Sequence, residues 1–259
     1  MDTRTGEVEV TTTAHEVTAR KAGSDERATS RPLARLGAVA ALGGAVILFV
    51  STLLHPLDRD PNVPRAAFAE YAADSFWVWS HLGQFVGFAA LGVALVALAA
   101  TLEPGWAAAW GRIGLAGAAV TIALAAALQA VDGVALKVMV DRWAAATGEA
   151  RALAFEAAFA VRQIEIGLAS LLSVVSGFTL TVFGVAIVLD ARYPRWLGGI
   201  GLLGGLGTVA AGAAQASTGF SGLAMTLSML ASSVLLVWAI LAGVLMWRLA
   251  PQGCPGSDR

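Results

Sequence analysis

Gln129-Ala130-Val131-Asp132-Gly133-Val134-Ala135-Leu136-Lys137 is the stretch on which the reading of this chain turns. It sets a carboxylate inside an apolar run that begins near Ile113 and is otherwise long enough to cross a bilayer. An ionisable group within a span is costly to bury and marks a candidate functional site. A second one, Glu165, lies in the next apolar run, one turn beyond Arg162. The two runs are expected to face each other and to wall one polar pocket.

The composition supports the membrane reading. Of 259 residues, 57% are hydrophobic and 14% charged, with a mean hydropathy of +0.72. Soluble domains carry about 25% charged residues. A net charge of −1 gives no electrostatic case for nucleic acid. The single cysteine, Cys254, excludes an intrachain disulfide framework, a cysteine-based zinc site and a CxxCH haem attachment.

Outward from the opening stretch, six apolar runs cover residues 34–55, 79–102, 111–139, 161–189, 196–216 and 222–248. Each reaches the ~20 residues that a bilayer core requires. Backbone groups in lipid must be satisfied within the segment, so the runs are helices. Barrel strands of about ten alternating residues are absent from the pattern. The expected fold is all-α: a polytopic membrane protein with six transmembrane helices in one bundle, spanning residues 33–250. Residues 1–32 lack apolar periodicity and read as a disordered cytoplasmic tail, and 251–259 as a second tail. No apolar core precedes Leu33, so no signal peptide is expected.

Lysine and arginine set the expected orientation. Arg4, Arg20, Lys21, Arg27, Arg31 and Arg35 precede the first run, and Arg112, Arg192, Arg195, Arg248 and Arg259 fall on the same side. Opposite them, Arg59, Arg65, Lys137, Arg142, Arg151 and Arg162 are offset by acids such as Asp58, Asp60, Glu70, Asp74, Asp141, Glu149 and Glu156. Both termini are therefore expected in the cytoplasm, in the plasma membrane. The two long loops lie outside. In the first, Pro64 opens a short helix through Tyr71, and Phe76, Trp77 and Trp79 suit the headgroup level. In the second, Thr147 caps a helix that runs into the fourth span with Phe155 and Phe159 on its apolar face.

With that orientation the polar residues gather toward the outer leaflet: Gln129 and Asp132, Arg162 and Glu165, His81 and Gln84, His55 and Gln215. Residues three apart share a helix face, which aligns His81 with Gln84, Gln129 with Asp132, and Arg162 with Glu165. At 1.5 Å per residue, Asp132 and Glu165 lie at a similar depth of roughly 10 Å. They are the candidate acids, and the other six residues are candidate pocket lining. Blander roles stand beside these. Arg162–Glu165 reads equally as a local ion pair, and Asp132 as the partner of Arg162 across the helix hairpin. Lys137 snorkels to the headgroups, and the two histidines sit solvated at the interface. Ser173 and Ser176 are helix-packing residues. His55 and His81 with a carboxylate make three or four potential metal ligands, but no HxxxH or HExxH spacing fixes them. Neither a metal nor another cofactor is expected. Gly199-x-Gly201-x-x-Gly204 matches a dinucleotide fingerprint but lies within an apolar span. With Gly83-x-x-x-Gly87 and Gly201-x-x-x-Gly205, it is read as close helix packing.

Tyr193-Pro194-Arg195-Trp196-Leu197 followed by Gly201-Leu202-x-Gly204, together with Val237-Trp238, resembles a bacterial family of multi-span membrane proteins of unknown function. Its members open the fifth helix with a Pro-Arg-Trp-Leu turn. The resemblance covers the last quarter of the chain and the six-span layout. It implies fold and topology and no catalytic residue. Beyond the lipid bilayer, the expected partner is a small lipophilic molecule bound or converted by acid–base chemistry, such as isoprenoid isomerisation. A transporter or channel and a non-catalytic scaffold are the alternatives.

Overall fold

The computed structural model describes residues 31–56 and 58–249. Its elements are α1 (Arg31–Leu53), α2 (Pro64–Ala73), α3 (Trp77–Thr101), α4 (Trp106–Gln129), α5 (Lys137–Ala145), α6 (Gly148–Leu189), α7 (Arg195–Thr218) and α8 (Gly222–Leu249). Between α4 and α5 the rod continues through a π-helical segment, Ala130–Leu136. Among the described residues there is no strand, and the fold is all-α.

Six rods are long and apolar enough to cross a membrane: α1, α3, continuous α4–α5, α6, α7 and α8. Within their apolar windows only 28–44% of residues are buried in the bundle. Leu53, Leu203 and Leu230 are examples of the apolar side chains left on the outside. A soluble bundle turns polar faces outward. This surface fits an integral, multi-pass membrane protein instead.

Two rods are longer than the expected 111–139 and 161–189. The α4–α5 rod has 40 residues and α6 has 42. Each is about 60 Å long, twice the thickness of a hydrocarbon core. Their surplus ends emerge on the same side and meet α2, which Pro64 opens. Phe68, Tyr71, Trp77, Leu136, Val140, Trp143 and Ala158 form one buried apolar cluster there, the capped end of the molecule. Phe155 packs on the cluster, and Phe159 stacks on Phe155 at 6.2 Å. Trp77 is not at a headgroup surface. It is fully buried beneath α2, while Phe76 and Trp79 stay exposed. Thr147 holds the N-cap position of α6, but its side chain makes no capping hydrogen bond.

Backbone contact joins α6 to α7. A β-carbon on Gly177 would lie 2.6 Å from the carbonyl oxygen of Gly205, and one on Gly184 2.9 Å from that of Gly198. Gly201 and Gly204 face Trp238 and Leu235 of α8. Two of the three glycines of the literal dinucleotide fingerprint thus serve packing within a helix, while Gly199 is exposed and contacts no other element. Gly87 and Gly44 make the same kind of seam between α3 and α1. At the end opposite the cap, Asp190 accepts the backbone N–H groups of Glu103 and Arg192 at 2.7 and 2.8 Å. Tyr193 shares a 2.7 Å hydrogen bond with Thr101, and the Trp238 indole donates to the Leu197 carbonyl at 3.1 Å. Helix α1 starts at Arg31, two residues inside the stretch read as tail. The remainder of that stretch, and 251–259, lie outside the described residues.

Candidate functional site: two ion pairs above an apolar cavity

The opening stretch is where the helix changes its winding. Gly133 faces α3 so closely that a β-carbon there would come within 2.5 Å of the His81 Cβ. Glycine lets the two backbones approach, and the π turn re-aims the residues around it. Such turns recur at functional sites. The Trp77 indole donates to the Asp132 backbone carbonyl at 2.9 Å, fixing α3 against the π segment.

The partner of Asp132 is His81, not Arg162 across the hairpin. The His81 Nε2 lies 3.0 Å from Asp132 Oδ2. His81 is fully buried rather than solvated at an interface. Its Nδ1 lies 2.6 Å from the Trp77 carbonyl oxygen. A carbonyl can only accept, so Nδ1 carries a proton. Nε2 and Oδ2 then share a further proton, as imidazolium–carboxylate or as imidazole–carboxylic acid. Asp132 Oδ1 is buried and has no protein hydrogen-bond partner among the described residues.

His55 completes this group from the bend after α1. Its Nδ1 donates to the Pro56 carbonyl at 2.9 Å, leaving Nε2 with its lone pair. One ligand atom from each of His55, His81 and Asp132 lies within 4.8 Å of the other two. Burial holds the His55 imidazole below the ordinary histidine pKa, and the nearby Asp132 only partly offsets this.

Arg162 and Glu165 form the second pair, both on α6 and both buried. Arg162 Nη1 donates to the two carboxylate oxygens at 3.0 and 2.9 Å. Its Nη2 reaches the Tyr71 hydroxyl at 3.2 Å and the Pro61 carbonyl at 3.4 Å. The Phe220 ring covers the guanidinium at 4.6 Å. One arginine therefore ties α6 to the α1–α2 loop, to α2 and to the α7–α8 turn. The Tyr71 hydroxyl is pushed up to about 12 by burial, although the neighbouring guanidinium pulls it down. The two pairs are separate but bridged by rings. Trp77 lies 4.6 Å from His81, 4.8 Å from His55 and 4.3 Å from Tyr71, centroid to centroid.

The remaining expected residues divide. Gln129 donates to Gln84 at 3.1 Å, one turn from Asp132. Gln215 is buried at the capped end of α7, with its Nε2 unpartnered by protein among the described residues; no polar contact joins it to either pair. Lys137 does not snorkel. Its Nζ caps α2 by donating to the Tyr71 and Ala72 carbonyls at 3.0 and 2.9 Å, and it pairs with Asp141 at 2.8 Å. A π turn adds roughly one residue, about 100° of rotation, so a regular α-helical wheel misplaces Lys137. Trp77 and Tyr71 are the functional neighbours that spacing did not flag. Their one signal was aromatic residues beside a polar loop, which reads equally well as a headgroup belt.

Farther from the cap, Ala125, Leu128, Leu172, Phe88 and Leu168 form an apolar layer. On its other side lies a cavity of about 200 Å³, bounded by α1, α3, α4, α6, α7 and α8. Leu95, Leu98, Leu180, Leu235 and Trp238 give it an apolar wall, relieved by the hydroxyls of Thr121, Ser173, Ser176, Thr179, Thr208 and Ser232. Ser173 and Ser176 line this chamber, and Ser173 also packs against Gly212 in the seam between α6 and α7. No protein-family model, curated protein or solved structure matches this chain.

Proposed function

We propose that this is a multi-pass plasma-membrane protein that takes a small lipophilic molecule into its bundle and acts on the polar end of that molecule at the capped end. The cap faces outward and both termini lie in the cytoplasm. The observation that carries the reading is the His81–Asp132 pair, whose imidazole is buried and whose carboxylate is half-buried. It holds one transferable proton in a poorly solvated place, and Asp132 Oδ1 remains open to accept from a ligand. That is the equipment of general acid–base chemistry. The partly open chamber beyond the Phe88–Leu128–Leu172 layer, with its largely apolar lining, supplies room for an apolar body.

The test is extraction of the protein directly into lipid nanodiscs, followed by mass spectrometry of what co-purifies. One lipophilic species is expected at near-stoichiometric amount, enriched over the surrounding membrane. Filling the chamber with Ser176→Phe should expel it, and Asp132→Asn should retain it unconverted. Bulk membrane lipid alone, identical in the wild type and Ser176→Phe, would remove the support for a ligand.

A further inference from the structure

His55, His81 and Asp132 come from three separate rods or their ends, and both imidazoles are oriented in the same way. Each donates Nδ1–H to a backbone carbonyl, His55 to Pro56 and His81 to Trp77. Each therefore leaves Nε2 free to accept, and that of His81 faces Asp132 directly. Metal-binding histidines are held by this arrangement, in which the outer N–H is anchored and the inner nitrogen is left basic. The carboxylate beside them has one oxygen with no protein partner. Two ligand atoms, His81 Nε2 and Asp132 Oδ2, are already 3.0 Å apart. Bonds of 2.0–2.2 Å to one ion place neighbouring ligands about 3–3.5 Å apart. The third ligand is on a bend beyond a helix end, where a move of an ångström or so is local. The Trp77 indole, hydrogen-bonded to the Asp132 carbonyl and packed at a tilt against both imidazoles, holds the geometry.

We propose that His55 Nε2, His81 Nε2 and the Asp132 carboxylate bind one divalent first-row transition-metal ion of the zinc type, with at least one coordination position left open. Two imidazoles and a carboxylate with an open position match the ligand set of catalytic zinc centres, and the same set serves non-haem iron(II). Binding releases the proton that His81 and Asp132 share. The ion takes the place of that proton as the electrophile of the site. Glu165 is occupied by Arg162 through both oxygens and is not a ligand. This reverses the expectation from spacing alone. The ligands come from different helices, so no HxxxH pattern could announce them. The inference uses the same cluster as the proposed acid–base site and does not depend on a lipophilic ligand.

The experiment uses the full chain, free of any histidine tag, stripped with chelator in detergent and titrated with Co(II) and then with Zn(II). One equivalent of Co(II) should bind with visible d–d absorption, and Zn(II) should displace it. His55→Ala changes a bend residue outside the helices, and its folding is checked by tryptophan fluorescence. As loss of a ligand it should weaken Zn(II) binding by more than the roughly 10–100-fold typical of losing an outer-shell partner. Glu165→Gln should leave binding unchanged. Folded wild-type protein, judged by its tryptophan fluorescence, that gives no Co(II) absorption overturns the proposal. So does Co(II) binding that His55→Ala leaves untouched, which would mark an adventitious ion only. Direct nanodisc extraction of untreated membranes, with both metal and lipophile assayed, separates the two readings. Lipophile with no metal there, and no Co(II) uptake by the stripped protein, sinks this one; metal without lipophile sinks the acid–base reading.

Discussion

Tyr71 and Tyr193 are the only tyrosines of the chain, and burial pushes both up to about 12. Each keeps its proton longer in the folded protein than in the unfolded chain, where tyrosine ionises near pH 10. Between pH 10 and 12 the unfolded state therefore loses protons first, and stability falls as pH rises through that window. Tyrosinate absorbance of the folded protein in detergent should have no component near pH 10, and denaturant should restore one. A half-amplitude transition at pH 10 in the folded protein would expose one of the two rings. Gly133 makes a second residue-scale case. Alanine normally stabilises a helix relative to glycine by roughly 0.5–1 kcal/mol. Here its methyl would strike the His81 Cβ, and overpacking of this kind costs about 1–3 kcal/mol. Gly133→Ala should lower the thermal midpoint, while Gly167→Ala, with open space around it, should hold or raise it. The polarity of Asp132 and His81 was legible in the sequence. Their mutual pairing was not, because it joins α3 to a π turn, and no local spacing encodes either the neighbour or the winding.

At the scale of elements, the Arg162–Glu165 pair was legible because both partners share one helix face three residues apart. The extra contacts of Arg162 to Pro61, Tyr71 and Phe220 were not, since each comes from a different connection. Those contacts make the arginine the clasp of the capped end. Arg162→Ala leaves the Glu165 carboxyl buried without its cation. In soluble proteins that costs about 3–5 kcal/mol, and in a membrane bundle the figure is smaller where the group finds other partners. Glu165→Gln should recover much of the loss when added to Arg162→Ala, whereas Asp132→Asn, which removes a nearby like charge whose own partner is His81, should recover less. Equal rescue by both substitutions in thermal unfolding would mean that the two pairs behave as one electrostatic unit. The glycine seams follow the same logic of legibility. That small residues let helices touch could be read from the sequence. That α6 meets α7 backbone to backbone, and α1 meets α3, required the fold.

For the molecule as a whole, six apolar runs sufficed to reveal a membrane bundle, because length and composition are local quantities. The helix from Thr147 into the fourth span was legible and is α6, but the continuation of α4 through the π segment into α5 was not, because hydropathy no longer reports it past the apolar stretch. The proposed orientation has a direct check in the single thiol. An impermeant maleimide should label Cys254 only after spheroplasts are opened, and labelling of sealed spheroplasts would invert the sides. The apolar layer of Phe88, Leu128 and Leu172 has an electrical consequence. A transmembrane voltage falls across whatever separates the two aqueous phases, and acts on a charge with about 2.3 kcal/mol per 100 mV for a full crossing. With the His81–Asp132 and Arg162–Glu165 pairs both on the capped side of that layer, the proposed orientation puts most of the drop across the chamber half of the bundle. A proton or cation reaching the His81–Asp132 pair from the capped side traverses little of the field. Occupancy of the cluster is then set by the composition of one compartment and is nearly indifferent to whether the membrane is energised.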